Sequence, residues 1–162
     1  MQNPEIKPKV YTRQQAVLKA ESFCAYQERS QHELRNKLYE WGLHQADVEG
    51  IISELIENNF LNEERFALAF ALGKFRIKGW GKIKIKQGLK LKKVPEKLIQ
   101  KSLNQIDGEA YLETLSRVLT KKSAFLNEKD AYKRRYKLTQ YAASKGFERD
   151  LIFELLKDNQ LG

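Results

Sequence analysis

The chain has 162 residues, 41% of them hydrophobic and 31% charged, with nine glycines, three prolines and a formal net charge of +9. That suffices for one compact domain or a short repeat array, and it is too apolar for a disordered chain. The single cysteine, Cys24, excludes an internal disulfide or a CxxC metal motif, and the longest apolar run, residues 66–72, falls far short of the ~20 residues that cross a bilayer.

Thr12 is placed to cap a first helix over 12–27, in which Ala16, Ala20, Phe23 and Tyr26 or Gln27 recur at helical spacing. Cys24 lies in that run and reads as a small buried hydrophobe. Ser30-Gln31-His32-Glu33 is a capping box opening a second helix with Leu34, Leu38 and Trp41, and Gly42 stops it. A third helix, 45–58, puts Val48, Ile51, Ile52 and Leu55 on one stripe, and Phe60 is expected to fold back onto it.

The same phrase then recurs. Asn62 caps a helix carrying Phe66, Ala69, Phe70 and Phe75, a second helix covers 81–92, and Pro95 suits the N1 position of a third with Leu98, Ile99 and Leu103. Asp107 opens the last set, with Tyr111, Leu112, Leu115, Val118 and Leu119. A helix with Tyr132, Tyr136, Leu138 and Tyr141 follows and stops at Gly146; the tyrosines are expected in or near the core. Leu151, Ile152, Leu155 and Leu156 close the chain.

A shift of 51 carries Leu34, Leu38, Gly42 and Leu43 onto Ile85, Leu89, Lys93 and Val94. A shift of 104 carries them onto Leu138, Ala142, Gly146 and Phe147, and Val48, Leu98 and Leu151 follow as further core positions. A period near 50 residues with helical punctuation implies tandem helical units. The expected fold is all-α: a tail over 1–11, then three-helix repeats over 12–60, 61–106 and 107–162, forming an elongated array able to curve.

One stretch resists this reading. Residues 82–93 alternate lysine and apolar side chains about Gln87-Gly88, the pattern of a β-hairpin. The repeat register and the lack of a partner strand favour a helix, with Ile85 and Leu89 on one face and Ile83 and Leu91 off it.

The charge is local. Residues 74–101 hold eleven Lys/Arg against Glu96 alone, so this segment carries +10, more than the whole chain. A second cluster, 121–137, has seven basic residues against Glu128 and Asp130. Such density points to a polyanion or an acidic partner. The candidate contacts are Lys74, Arg76, Lys78, Trp80, Lys82, Lys84, Lys86 and Lys90, with Lys133, Arg134 and Arg135 secondary. Cations neutralise phosphates, and Trp80 between two glycines is either a stacking platform or a staple packing the junction.

Chemistry has little support. Only two histidines exist, His32 and His44, neither with a ligand-spaced partner, and there is no GxxxxGK[ST], no GxGxxG after a strand and no GxSxG. No catalytic residue, metal, cofactor, membrane or small-molecule substrate is expected. The first fifteen residues contain no apolar signal-like core, and a cytoplasmic location is expected.

Three motifs resemble those of a known family. They are Arg29-Ser30-x-x-Glu33-Leu34-x-x-Lys37-Leu38-x-x-x-Gly42, the junction Asn59-Phe60-Leu61-Asn62-Glu63-Glu64-Arg65-Phe66-Ala67, and Lys78-Gly79-Trp80-Gly81-Lys82-x-Lys84-Ile85. Together they resemble the RecX family, bacterial regulators of the RecA recombinase. The chain departs from that pattern in Asn62-Glu63-Glu64, where many members carry an aspartate pair, in Asn59, where glycine is common, and in its excess of lysine after Gly81. The resemblance implies three tandem three-helix units. It also implies a partner, the RecA filament on single-stranded DNA, contacted in part through the phosphate backbone, with restraint of recombinase, ATPase and co-protease activity in DNA repair and the SOS response. Two other readings compete: a helix-turn-helix-like regulator of double-stranded DNA, and a cationic membrane-surface protein, which a folded array would oppose by burying Phe66, Phe70 and Phe75.

Overall fold

Helix starts and stops are written so plainly in the sequence that the chain segments almost where its caps fall. The computed structural model describes residues 10–159; the expected tail up to residue 9 and the last three residues of the third repeat lie outside them. Among the described residues there are nine helices and no strand: α1 (Arg13–Tyr26), α2 (Gln31–Glu40), α3 (Gln45–Glu57), α4 (Glu63–Lys78), α5 (Lys82–Leu91), α6 (Glu96–Leu103), α7 (Gly108–Phe125), α8 (Ala131–Ser144) and α9 (Arg149–Asn159). They form three three-helix repeats in tandem.

The caps explain the boundaries. Thr12 and Ser30 each close a reciprocal capping box, with Gln15 and Glu33. Asn62, Asp107 and Asp130 accept the free amides of Arg65, Ala110 and Lys133 at 2.9 Å. Pro95 is itself the N-cap of α6 (φ −58°, ψ 143°), one residue earlier than the N1 position expected, because its extended ψ belongs before the first turn. The lysine-alternating segment is helix α5: Ile85 and Leu89 are fully buried, whereas Ile83 and Leu91 are exposed, so its period-two pattern is not a strand signal.

Burial makes the repeat concrete. The first helices bury Ala16-Ala20-Cys24, Ala67-Ala71-Phe75 and Tyr111-Leu115-Leu119, each at i, i+4 and i+8. The second helices bury Leu34-Leu38, Ile85-Leu89 and Leu138-Ala142, followed by Leu43, Val94 and Phe147. In the third helices the equivalent buried positions are Val48, Ile99 and Ile152. Leu98 and Leu151, expected there, lie one residue earlier and are half-buried, since one residue turns a helix face by ~100°. The same rotation places Ala69 outside and Ala67 and Ala71 inside α4. Leu112 and Tyr26 are likewise exposed. Each Leu or Ile buried here removes enough apolar surface to contribute about 1.5–3 kcal/mol.

By contact the chain divides into two compact units, one ending within α4 at Phe66 and including Lys92–Val94, the other comprising Ala67–Leu91 and Pro95 onward. The first has a core of α1–α3 side chains on which Tyr11, Val17, Phe23, Trp41 and Phe60 rest. Its C-terminal edge is tied by Arg65, which reaches Glu28 Oε1 (2.8 Å), Asn59 Oδ1 (3.0 Å) and the carbonyls of Asn59 and Phe60. Burial pushes the Cys24 thiol up to about 11, with the Arg29 guanidinium opposing, so the sulfur is an unreactive core atom.

The second unit is held at a backbone junction. Gly81 N–H donates to the Lys145 carbonyl (2.8 Å) and Ile83 N–H to the Gly146 carbonyl (3.0 Å), so the start of α5 is satisfied by the chain leaving α8. A Cβ on Gly81 would run into the carbonyl of Gly146 and the amide of Phe147. Gly81→Ala is therefore expected to lower stability by about 3 kcal/mol or more. Gly73→Ala on α4, where a Cβ meets nothing within 4 Å, should raise it by about 0.5–1 kcal/mol. Thermal unfolding followed by circular dichroism checks both, and equal effects would mean the junction is not tight.

The helix stop after the second helix is left-handed in all three repeats: Gly42 (φ 88°), Lys93 (φ 58°) and Gly146 (φ 97°). Only the middle repeat puts a side chain there. Lys93→Gly should stabilise the protein by about 0.5–1 kcal/mol through relief of that strain, read from the shift in denaturation midpoint.

Candidate nucleic-acid interface

The residues predicted to bind fall on α4, α5 and α8, and the structure treats them unequally. Arg76, Lys78 and Lys90 are exposed. Lys86 pairs with Glu96 (2.9 Å), which holds that carboxyl below its usual range. Trp80 is half-buried, edge-on to Phe70 at 6.4 Å, with the ammoniums of Lys74 and Lys84 at 4.9 and 4.5 Å from its ring centre. Phe70 in turn fills the space over Gly88, where a Cβ would approach to 2.7 Å. Trp80 is thus a staple of the α4–α5 turn that also holds two cations beside its faces. Phe66 and Phe75 are buried and Phe70 is covered in part, as a folded array requires.

The stretch Gly79-Trp80-Gly81-Lys82 does not present its amides as a phosphate loop would. Gly81 and Ile83 amides are spent on the α8 stop, and Lys82 N–H donates to the Tyr111 hydroxyl at 3.0 Å. Tyr111 is the hub beneath this basic face. Its ring packs between Phe75 (5.9 Å) and Phe147 (5.3 Å), Lys82 Nζ lies 5.0 Å from its centre, and its hydroxyl donates to Glu148 Oε1.

On α8, Lys133 and Arg135 are exposed, but Arg134 is a loop clamp. Its guanidinium donates to the carbonyls of Ser123, Leu126 and Glu128 and to the Ser123 hydroxyl. Lys137 pairs with Glu128 at 2.9 Å. Tyr132 and Tyr136, expected near the core, are exposed at 80% and 59%, because the buried stripe of α8 is Leu138–Ala142 and both tyrosines point off it.

The structure also gathers cations that sequence reasoning left out of the site. A cleft of about 670 Å³ between α4, α7 and α8 is lined by Arg117, Lys121, Lys122 and Lys145 together with Arg76 and Lys78. The missed signal is the spacing Arg117, Lys121, Phe125 at i, i+4 and i+8, one stripe of α7. Among the described residues no cluster of His, Cys, Asp or Glu could hold a metal ion, and no helix is long and apolar enough to cross a membrane. His32 lies 3.3 Å from Asn36 on α2, and His44 precedes α3 without capping it by its side chain.

Three family models match the chain in order: the first three-helix domain of RecX over residues 16–55, the second over 62–103 and the third over 109–156. The chain belongs to the RecX family. It is 35% identical to the regulatory protein RecX of Clostridium perfringens over 131 residues, covering 80% of this chain and 61% of that one. It is 27% identical to that of Bacillus mycoides over 150 residues, covering 91% and 56%. The chain therefore spans little more than half the length of these RecX relatives. The crystal structure of RecX from Lactobacillus salivarius superposes with a TM-score of 0.83 at 20% identity, covering 93% of this chain and 97% of that one. A second crystal structure, of regulatory protein RecX, gives 0.81 at 23% identity, covering 90% and 71%. Both share the fold of three tandem RecX domains.

Tyr111→Phe tests the hub. Burial and the hydrogen bond to Glu148 hold the Tyr111 hydroxyl well above its ordinary value of 10.0. The neutral hydroxyl therefore stabilises the fold below pH 10, and this is lost as pH climbs above 10, where the unfolded chain sheds a proton that the folded one keeps. The variant should be less stable by about 1–3 kcal/mol at pH 7. The gap to wild type should narrow above pH 10 in denaturant titrations.

Proposed function

We propose that the chain binds the filament formed by the RecA recombinase on single-stranded DNA and restrains its strand exchange, ATP hydrolysis and co-protease activity, tuning DNA repair and the SOS response. The observation that carries this reading is the run of three RecX domains, in order, over a chain whose middle repeat concentrates the positive charge. The exposed side chains of Arg76, Lys78 and Lys90 and the half-buried ones of Lys82 and Lys84 supply contact to phosphates, and Lys133 and Arg135 extend it. Binding through phosphates positions without reading bases, which suits a partner assembled on DNA of any sequence.

The test is single-strand-dependent ATP hydrolysis by RecA with increasing amounts of the purified chain. Inhibition is expected at substoichiometric ratios. No effect at stoichiometric excess would overturn the proposal, and a sequence-defined duplex footprint without recombinase would replace it with the transcriptional-regulator reading. In the same assay Lys82→Glu with Lys84→Glu should weaken filament binding by about tenfold or more and flatten its salt dependence.

A further inference from the structure

The cleft between α4, α7 and α8 joins Arg76 and Lys78 to four cations that the regulator reading leaves unassigned. Among the described residues six cations line it, Arg76, Lys78, Arg117, Lys121, Lys122 and Lys145, and no carboxylate does. Two of them are held in place from below: Lys122 and Lys145 ammoniums lie 4.8 and 5.9 Å from the Tyr141 ring centre. Lys145 Nζ also donates to the Lys78 carbonyl at 3.4 Å, which ties the α8 end to the α4 end across the cleft. Such crowding of like charge is unfavourable unless an anion shares the space. At the rim stand two apolar side chains with no place in the core, Ile77, 81% exposed, and Phe125, 75% exposed. Phe125 is the last residue of α7, one stripe along from Arg117 and Lys121.

We propose that this cleft is a binding site for single-stranded nucleic acid, in which the six cations take the phosphates and a base stacks on the ring of Phe125. The volume, about 670 Å³, is that of an ordinary ligand pocket and exceeds what a lone phosphate fills. A polyanionic peptide such as polyglutamate would satisfy the charge but has no flat face to lay on the exposed aromatic ring beside it. A duplex would satisfy the charge yet keep its bases stacked on one another and away from Phe125. An unpaired strand uses both. The site needs no recombinase, so it is tested on bare oligonucleotide, and its failure would leave the filament reading standing.

The experiment is fluorescence anisotropy of a short labelled oligothymidylate with the full chain at low salt. Phe125→Ala, an exposed position whose loss leaves the core intact, should weaken binding about tenfold, the effect of one lost base stack. Lys121→Gln with Lys122→Gln should also weaken it and make the log–log salt slope shallower by about 1.4, the value for two phosphate contacts on a single strand. Arg149→Gln with Lys157→Gln, exposed on α9 and outside the cleft, should leave binding within about twofold of wild type; circular dichroism confirms that each variant is folded. The proposal is overturned if wild type fails to bind oligothymidylate, or if the cleft variants bind like wild type. It is equally overturned if a duplex or polyglutamate binds as tightly with the same dependence on Phe125.

Discussion

The second unit depends on a place where two backbones touch without side chains between them. Gly81, entering α5, and Gly146, leaving α8, sit so close that neither has room for a Cβ, and the amides of Gly81 and Ile83 close onto the carbonyls of Lys145 and Gly146. A helix start that would otherwise expose unpaired donors is thereby satisfied by a helix stop from another repeat. Around this contact the aromatic rings of Phe75, Tyr111 and Phe147 pack in sequence, one each from the first helices of the second and third repeats and one from the stop itself. Van der Waals, aromatic and hydrogen-bond terms converge on one spot, and each fails if the backbones separate.

That contact also decides where charge can be displayed. Because the amides at the start of α5 are consumed internally, the basic segment cannot act as an anion-binding loop, and its affinity for phosphates must come from side chains. Lysines that rise from this platform are braced by rings: Lys74 and Lys84 by Trp80, Lys82 by Tyr111, Lys122 and Lys145 by Tyr141. Bracing a flexible ammonium lowers the entropy lost when it meets a phosphate.

Much of the fold is legible in the sequence because its punctuation is chemical. Thr12, Ser30, Asn62, Asp107 and Asp130 can each accept a free amide, and Gly42 and Gly146 can turn left-handed, so starts and stops follow from side-chain chemistry alone. The core is less legible where small residues compete with large ones. Periodicity favours Tyr26, Leu112, Tyr132 and Tyr136 as core, yet α1 and α4 bury alanines, which let helices approach closely, and α8 buries Leu138, Thr139 and Ala142. The candidate site is the least legible part. Charge density marks α4 and α5, but Arg134 is spent on a loop, and Arg117 and Lys145 join Arg76 and Lys78 only through the packing of α7 and α8. The stripe Arg117, Lys121 and Phe125 marks the α7 wall of the cleft, but no spacing within that helix announces the walls that α4 and α8 add.

The buried sulfur of Cys24 carries a consequence of its own. It is the chain's sole thiol, it sits among α1–α3 side chains, and burial pushes it up to about 11, further above neutral pH than an exposed thiol. A thiol reagent in solution can reach it only when α1 lifts from its neighbours, so the rate of labelling is a clock for transient opening of the first repeat alone. The protein thus carries, without any engineering, a chemical stopwatch on the part of the array that holds the least positive charge.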